Sequence, residues 1–222
     1  MIPLFLSGPS LRGAGDRPAS LDSARRWVVV REDAPSTGPD EADATIVARL
    51  RVADERAFRD LWEQYHQGLV RFAHRYVRSH DSAADIVQDV FIALWERHAH
   101  IEVRGSLAGY LYGMVRYTAM DFRKHERVMQ RHVDVTTAAY ASAPVVARNL
   151  GLDAVEVETL QQLLRATIAT LPPRTREIFL MSREDGLAPG AIASVLGIAP
   201  QVVYNQLSRA LKALHDAVKR SA

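Results

Sequence analysis

The sequence predicts an all-α protein of two helical domains joined by a flexible linker, the C-terminal one a helix-turn-helix domain. Three observations carry this expectation. Apolar residues recur at spacings of three and four along residues 44–128 and again beyond residue 153, the period of a helix with one buried face. No segment alternates apolar and polar residues in the manner of a half-buried strand. Between the two periodic stretches, residues 129–152 turn to small and β-branched types (Thr136, Thr137, Ala138, Ala139, Ser142, Pro144) with no face to bury, which suits a linker. A length of 222 residues, against roughly 150 per domain, is compatible with two small domains.

Taken in order, residues 1–43 are rich in Pro, Gly, Ser and Asp and lack sustained periodicity, so they are expected to be a mostly disordered leader in which Trp27 to Val30 is the one short apolar run. Residues 44–128 then supply four amphipathic helices, with Ile46 and Leu50 in the first. The second carries Phe58, Leu61, Trp62, Tyr65, Leu69, Phe72 and Tyr76, the third Val87, Val90, Phe91 and Leu94, and the fourth Leu107, Leu111, Met114 and Val115. Breaks fall at Ser79 to Ser82, where Asp81 or Ser82 is the expected N-cap, and at Val103 to Ser106, where Ser106 is. The second domain reads as a helix to Thr170, a Pro172-Pro173 break with Pro173 in a first turn, and a helix to about Arg183. A turn at Asp185-Gly186 and two closing helices complete it.

Composition removes several classes of activity. Cysteine is absent, which excludes disulfides, thiol catalysis and Cys-ligated zinc. No apolar run reaches the roughly 18 residues that span a bilayer, and the first residues lack a basic-then-apolar signal, so a cytoplasmic location is expected. The eight histidines, among them His66, His74, His98 and His100, have no HExxH, phosphate-loop or nucleophile-elbow context and are expected at the surface. Neither a catalytic group nor a metal or cofactor site is expected. The net charge of +2 is small, but its distribution is uneven: residues 81–96 carry Asp81, Asp85, Asp89 and Glu96 without one Lys or Arg, whereas 200–222 carry Arg209, Lys212, Lys219 and Arg220 against Asp216.

Three constellations carry possible chemistry. In Ile192 to Val203, Ala193 is small where two helices touch, Gly197 suits a turn needing positive φ, and Ile192, Leu196, Ile198 and Val203 flank it as apolar residues, the demands of a helix-turn-helix. Its second helix is expected to bury Val203, Leu207, Ala210, Leu211 and Leu214. That leaves Gln201, Tyr204, Asn205, Ser208, Arg209 and Lys212 for base edges and phosphates. The helix from Ser106 to Val128 is expected to bury Leu107, Leu111, Met114, Val115 and Phe122. It would present Tyr112, Arg116, Tyr117, Met120, Arg123, Lys124 and Arg127, cations and aromatics interleaved as an unstacked strand requires. Asp81, Asp85 and Asp89 follow one another at i, i+4, an arrangement that costs helix stability unless a basic partner meets it. With Gln88 alongside, they read as a docking face. A dipole bias at the helix start and a divalent-metal carboxylate set are the competing readings.

Together these residues resemble the extracytoplasmic-function (ECF) group of the sigma-70 family of bacterial RNA polymerase sigma factors, over roughly residues 44–218. Asp81-Ser-Ala-Ala-Asp-Ile-Val-Gln-Asp-Val-Phe-Ile-Ala-Leu-Trp resembles the family's core-polymerase-binding helix, which implies that role for Asp81, Asp85, Gln88, Asp89, Phe91 and Trp95. Leu107 to Lys124 resembles its promoter-melting and minus-ten-reading segment. Leu171-Pro-Pro-Arg-Thr-Arg-Glu-Ile-Phe-Leu with the following helix-turn-helix resembles its minus-thirty-five-reading domain. The resemblance implies a non-enzymatic initiation factor whose partners are core RNA polymerase, promoter DNA and an anti-sigma factor. Tyr110, Tyr117, Ala199, Tyr204 and Gln206 depart from the residues common in the family, so no promoter sequence is carried over. The alternatives are a stand-alone helix-turn-helix regulator of duplex DNA and a helical metal-dependent enzyme built on the Asp81 helix.

Overall fold

The computed structural model describes residues 41–130 and 154–221, and the chain divides into two compact units, residues 1–137 and 138–222. The leader expected over 1–43 lies outside the described residues except for its last three, and the linker expected over 129–152 lies outside them beyond Gln130. Among the described residues there are α-helices and one 3-10 turn but no strand.

The first unit comprises α1 (Glu41–Arg51), α2 (Glu55–Val77), α3 (His80–Glu96), a 3-10 turn (His98–His100) and α4 (Leu107–Gln130). Four α-helices were expected and four form. α1 begins three residues earlier than the expected boundary at Ala44. Its acidic first turn of Glu41 and Asp43 suits a helix N-terminus, and Asp43 has a partner distant in sequence: its carboxylate accepts the Leu107 N–H at 2.6 Å. Asp54 caps α2, accepting from the N–H groups of Arg56 and Ala57, while Ala53 takes a positive φ of 58° at the corner. The cap of α3 is Ser79, not Asp81 or Ser82. Its hydroxyl accepts the Ser82 N–H at 3.2 Å, so the helix starts at His80 and Asp81 becomes a first-turn acid. Ser106 caps α4 as expected, accepting from the Gly109 N–H.

The core of this unit is aromatic. The apolar residues of α2 recur at three and four, so Phe58, Leu61, Leu69 and Phe72 all point inward and are fully buried with Phe91, Leu94, Leu107, Leu111 and Met114. Phe91 meets Phe58 edge-on at 5.7 Å between ring centroids and Trp62 at 4.8 Å, and Trp95 reaches Phe58 at 5.1 Å. Each such side chain contributes about 1.5–3 kcal/mol through burial, with edge-to-face geometry adding about 1 kcal/mol.

The second unit comprises α5 (Ala154–Thr170), α6 (Pro173–Arg183), α7 (Pro189–Leu196) and α8 (Pro200–Ser221). Pro173 opens α6 from the first turn, where a missing N–H costs nothing. Gly186 turns the chain at φ 66°. Gly197, at φ 63°, ends α7: Ile198 N–H bonds Ala193 O at 3.0 Å and Gly197 N–H bonds Ser194 O at 3.3 Å, the paired bonds of a Schellman motif. Ile168, Leu171, Phe179, Ala210 and Leu214 form one apolar cluster. Ile192, Val195, Leu196 and Val203 are buried where α7 and α8 meet.

Candidate functional site

On α8 the six residues expected to face nucleic acid, Gln201, Tyr204, Asn205, Ser208, Arg209 and Lys212, are all exposed. Gln201 Nε2 donates to Asn205 Oδ1 at 3.2 Å, so two of the amides on this face hold one another one turn apart. No carboxylate occurs between Gln201 and His215; the one acid of the helix is Asp216, a turn beyond Lys212, so the field of Arg209 and Lys212 is least compensated toward the N-terminal half of α8. Gln206 points the other way. It is half-buried, and its Oε1 accepts the hydroxyl of the buried Thr175 at 2.6 Å, fixing the rotation of α8 against α6. Leu211, expected in the buried stripe, is 46 % exposed. The stripe of Val203, Leu207, Ala210, Leu214 and Ala217 is complete at steps of four and three without it, and Leu211 lies about 100° further round.

On α4, Arg116, Tyr117 and Arg123 are half-buried, Lys124 and Arg127 are exposed, and Met120 is exposed. Tyr112, expected on the presented face, is 4 % exposed and belongs to the core. Its ring meets Phe72 edge-on at 5.0 Å, and its hydroxyl fills the space beside Gly68, where a Cβ would approach it to 2.8 Å. Phe122, expected to be buried, is half-buried.

On α3, Asp81, Asp85 and Glu96 are exposed and Gln88, Asp89 and Trp95 half-buried. Phe91 is the exception among the residues expected to dock: it is wholly buried between Phe58 and Trp62 and supports that surface from beneath. The helix carries no Lys or Arg.

Two histidines are not the surface residues expected. His66 stacks on Trp62 at 4.2 Å, and burial, aided by the charge of His80, lowers its pKa. His98 is half-buried with Nδ1 at 2.8 Å from Trp95 O. Among the described residues no group of three or more His, Cys, Asp or Glu is placed to hold a metal ion, and none of the helices is long and apolar enough to cross a membrane. Nothing in the local sequence marks Asp43 or Arg51. Their partners stand 64 and 50 residues away, and no local pattern reports such a bond.

Residues 61–128 match the model of sigma-70 region 2, and residues 161–214 that of sigma-70 region 4. The probable RNA polymerase sigma factor RfaY of Xanthomonas campestris is 28 % identical over 129 residues, 58 % of this chain and 32 % of that protein, so the match spans about a third of that relative. The ECF RNA polymerase sigma-E factor of Escherichia coli K12 is 27 % identical over 183 residues, 80 % of this chain and 94 % of that one. Two solved structures share the fold. CnrH, in complex with the cytosolic domain of CnrY, has TM-score 0.52 at 18 % identity and covers 82 % of this chain and 100 % of its own. The sigma factor RpoE of Bartonella quintana, in complex with the anti-sigma factor NepR, has TM-score 0.50 at 23 % identity and covers 73 % and 96 %.

Proposed function

Because the chain belongs to the ECF group of the sigma-70 family of RNA polymerase sigma factors, we propose that it directs promoter-specific transcription initiation by binding core RNA polymerase and promoter DNA. The observation that carries the reading is the order of the two matches, region 2 over the aromatic bundle and region 4 over the helix-turn-helix, with a polar face exposed on each. The acidic face of α3, through Asp81, Asp85, Gln88, Asp89 and the edge of Trp95, docks on core polymerase. Along α4, Arg116, Tyr117, Arg123, Lys124 and Arg127 take phosphates and unstacked bases of the opening strand. The N-terminal part of α8 enters the major groove, where Gln201, Tyr204, Asn205 and Ser208 face base edges, while Arg209 and Lys212 lie nearer the backbone.

The work is binding and orientation, with no bond of the substrate made or broken by this chain, and it takes place in the cytoplasm where the polymerase is. Both solved neighbours are held by partner proteins, a CnrY cytosolic domain and the anti-sigma factor NepR, and an anti-sigma factor is proposed as the regulator here too. The test is reconstitution with core polymerase on a library of genomic promoter fragments. Transcripts that start at defined sites only when this chain is added are expected. Duplex binding without any polymerase-dependent transcript would instead make it a stand-alone regulator.

A further inference from the structure

Residues 101–106 connect the 3-10 turn to α4, and both ends of this connector are held by α1. At one end the guanidinium of Arg51 donates twice to the Ile101 carbonyl, from Nε at 2.9 Å and from Nη2 at 2.7 Å. At the other, Asp43 accepts the Leu107 N–H at 2.6 Å. That N–H opens α4 and has no partner within the helix. A carboxylate there also meets the positive end of the helix dipole, while Ser106 takes the Gly109 N–H one step further in. Between the two ends, Ile101 and Val103 are buried, Glu102 and Arg104 are exposed, and Gly105 turns the chain at φ 84°.

The holder is itself packed and bonded to its neighbours. Val47 and Leu50 bury the inner face of α1. Arg49 Nε donates at 2.8 Å to the Asp54 carboxylate that also caps α2. α1 is therefore tied to α2 on one side and to the connector and the start of α4 on the other. It also lies wholly before residue 61, where the region 2 match begins.

Arg116 and Tyr117 stand nine and ten residues beyond Leu107, about 14 Å along the helix, so a small tilt at the held end moves them by ångströms, and binding groups need placing to within about 0.5 Å. We propose that α1 is a positioning element for α4: Asp43 and Arg51, by fixing the two ends of the connector, set the pose in which α4 receives an opened strand. The inference rests on the function proposed above. It adds two positioning residues, Asp43 and Arg51, outside the three faces proposed to meet DNA and polymerase.

The experiment compares Asp43→Ala, Asp43→Asn, Arg51→Ala and Arg51→Lys in the full chain with core polymerase. It measures the rate at which promoter thymines become permanganate-reactive, the affinity for core by competition, and hydrogen exchange at the Leu107 amide. Each alanine variant is expected to slow opening about fivefold with core affinity within about twofold of the parent, the scale of one lost charge-assisted cap. Asp43→Ala also speeds exchange at Leu107. Asp43→Asn, which keeps an acceptor oxygen, restores most of the opening rate. Arg51→Lys, which keeps the charge but not the two-pronged contact, falls between and remains informative if an alanine variant fails to fold. Folded variants that open promoters at the parent rate, or that lose opening and core affinity in proportion, overturn the positioning role. A parent that opens no promoter with core polymerase sinks the proposed function and this inference together; an active parent matched by its variants sinks the inference alone.

Discussion

The two helices proposed to meet DNA present their polar faces in different ways. α8 buries one face against the three other helices of its unit and leaves all six of its candidate residues exposed, with no carboxylate among them. α4 packs against α2 and α3 in a larger aromatic bundle: Arg116, Tyr117 and Arg123 are half-buried, the first two engaged in interactions of their own, and Lys124 and Arg127 are exposed near its C-terminal end. The difference matches the two tasks. A helix that enters the groove of intact duplex needs its side chains already extended, because the groove is there before the protein arrives. A helix that receives a strand only after opening gains by keeping its cations and rings packed until that strand exists, since an exposed aromatic stripe is a liability in the meantime.

The largest effect should separate the cores beneath these helices. Phe91→Ala removes the ring shared by Phe58 and Trp62 and is expected to cost about 3–5 kcal/mol, enough to abolish the folding transition of the first unit. In urea followed by residue-resolved NMR, resonances of 154–221 are expected to keep the parent midpoint. Loss of both units together would show that they do not fold independently.

Next in size is the double reversal Asp85→Lys with Asp89→Lys. A charge reversal at a desolvated interface costs about 2–5 kcal/mol and one at a rim much less, so core-polymerase affinity is expected to fall at least tenfold in a competition assay while duplex binding through α8 is unchanged. Unaltered core affinity would remove α3 from the docking role. Variants of the two DNA helices then test the contrast itself. Asn205→Ala is expected to cost about 1–3 kcal/mol on the cognate upstream element and to relax discrimination at one base pair, whereas Lys212→Ala weakens all sequences alike and lowers the salt slope by about one. Arg116→Ala with Lys124→Ala is expected to leave closed-complex formation near the parent value and to slow opening, read by permanganate reactivity. If both pairs altered the same step, the division between an open and a packed face would have no functional meaning.

Much of this arrangement was legible in the chain because it is local. The period of α2, Ser106 as a cap, Pro173 opening α6 and Gly197 ending α7 all act within a turn of themselves. What escaped depends on distant residues. Tyr112 reads as an exposed aromatic beside Leu111, yet Ala108, Tyr112, Val115 and Ala119 form a second inward stripe because Gly68 on α2 leaves room for a hydroxyl. Leu211 reads as core, but among the described residues it is left 46 % exposed, off the stripe that packs against the rest of the unit. The cap of α3 moved to Ser79 among neighbours that were equally good candidates on composition alone. Asp43 falls within a stretch whose composition suggests disorder, yet it lies in the first turn of α1 and bonds Leu107 64 residues away.

The smallest effect separates the two units by pH. His66 packs against Trp62, and burial first, then the neighbouring charge of His80, lowers its pKa below the usual value near 6.5. The unfolded chain therefore binds more protons than the folded one just below that value. It follows that the stability His66 permits is fully present above about pH 6.5 and is lost as the pH falls through its folded pKa. Asp54 does not interfere in this window, because the hydrogen bond from Arg49 holds its carboxyl below the usual carboxylate range and it stays ionised. The urea midpoint of the first unit is thus expected to drop between about pH 7.5 and about pH 5.5, and His66→Asn, which has no proton to gain, should flatten most of that slope. Among its described residues the second unit has no histidine packed on an aromatic ring, and its midpoint is expected to hold nearly constant over the same range. A slope in the first unit that survives His66→Asn would assign the titration to another group, and an equal slope in the second would mean that the aromatic packing of the first is not what sets it.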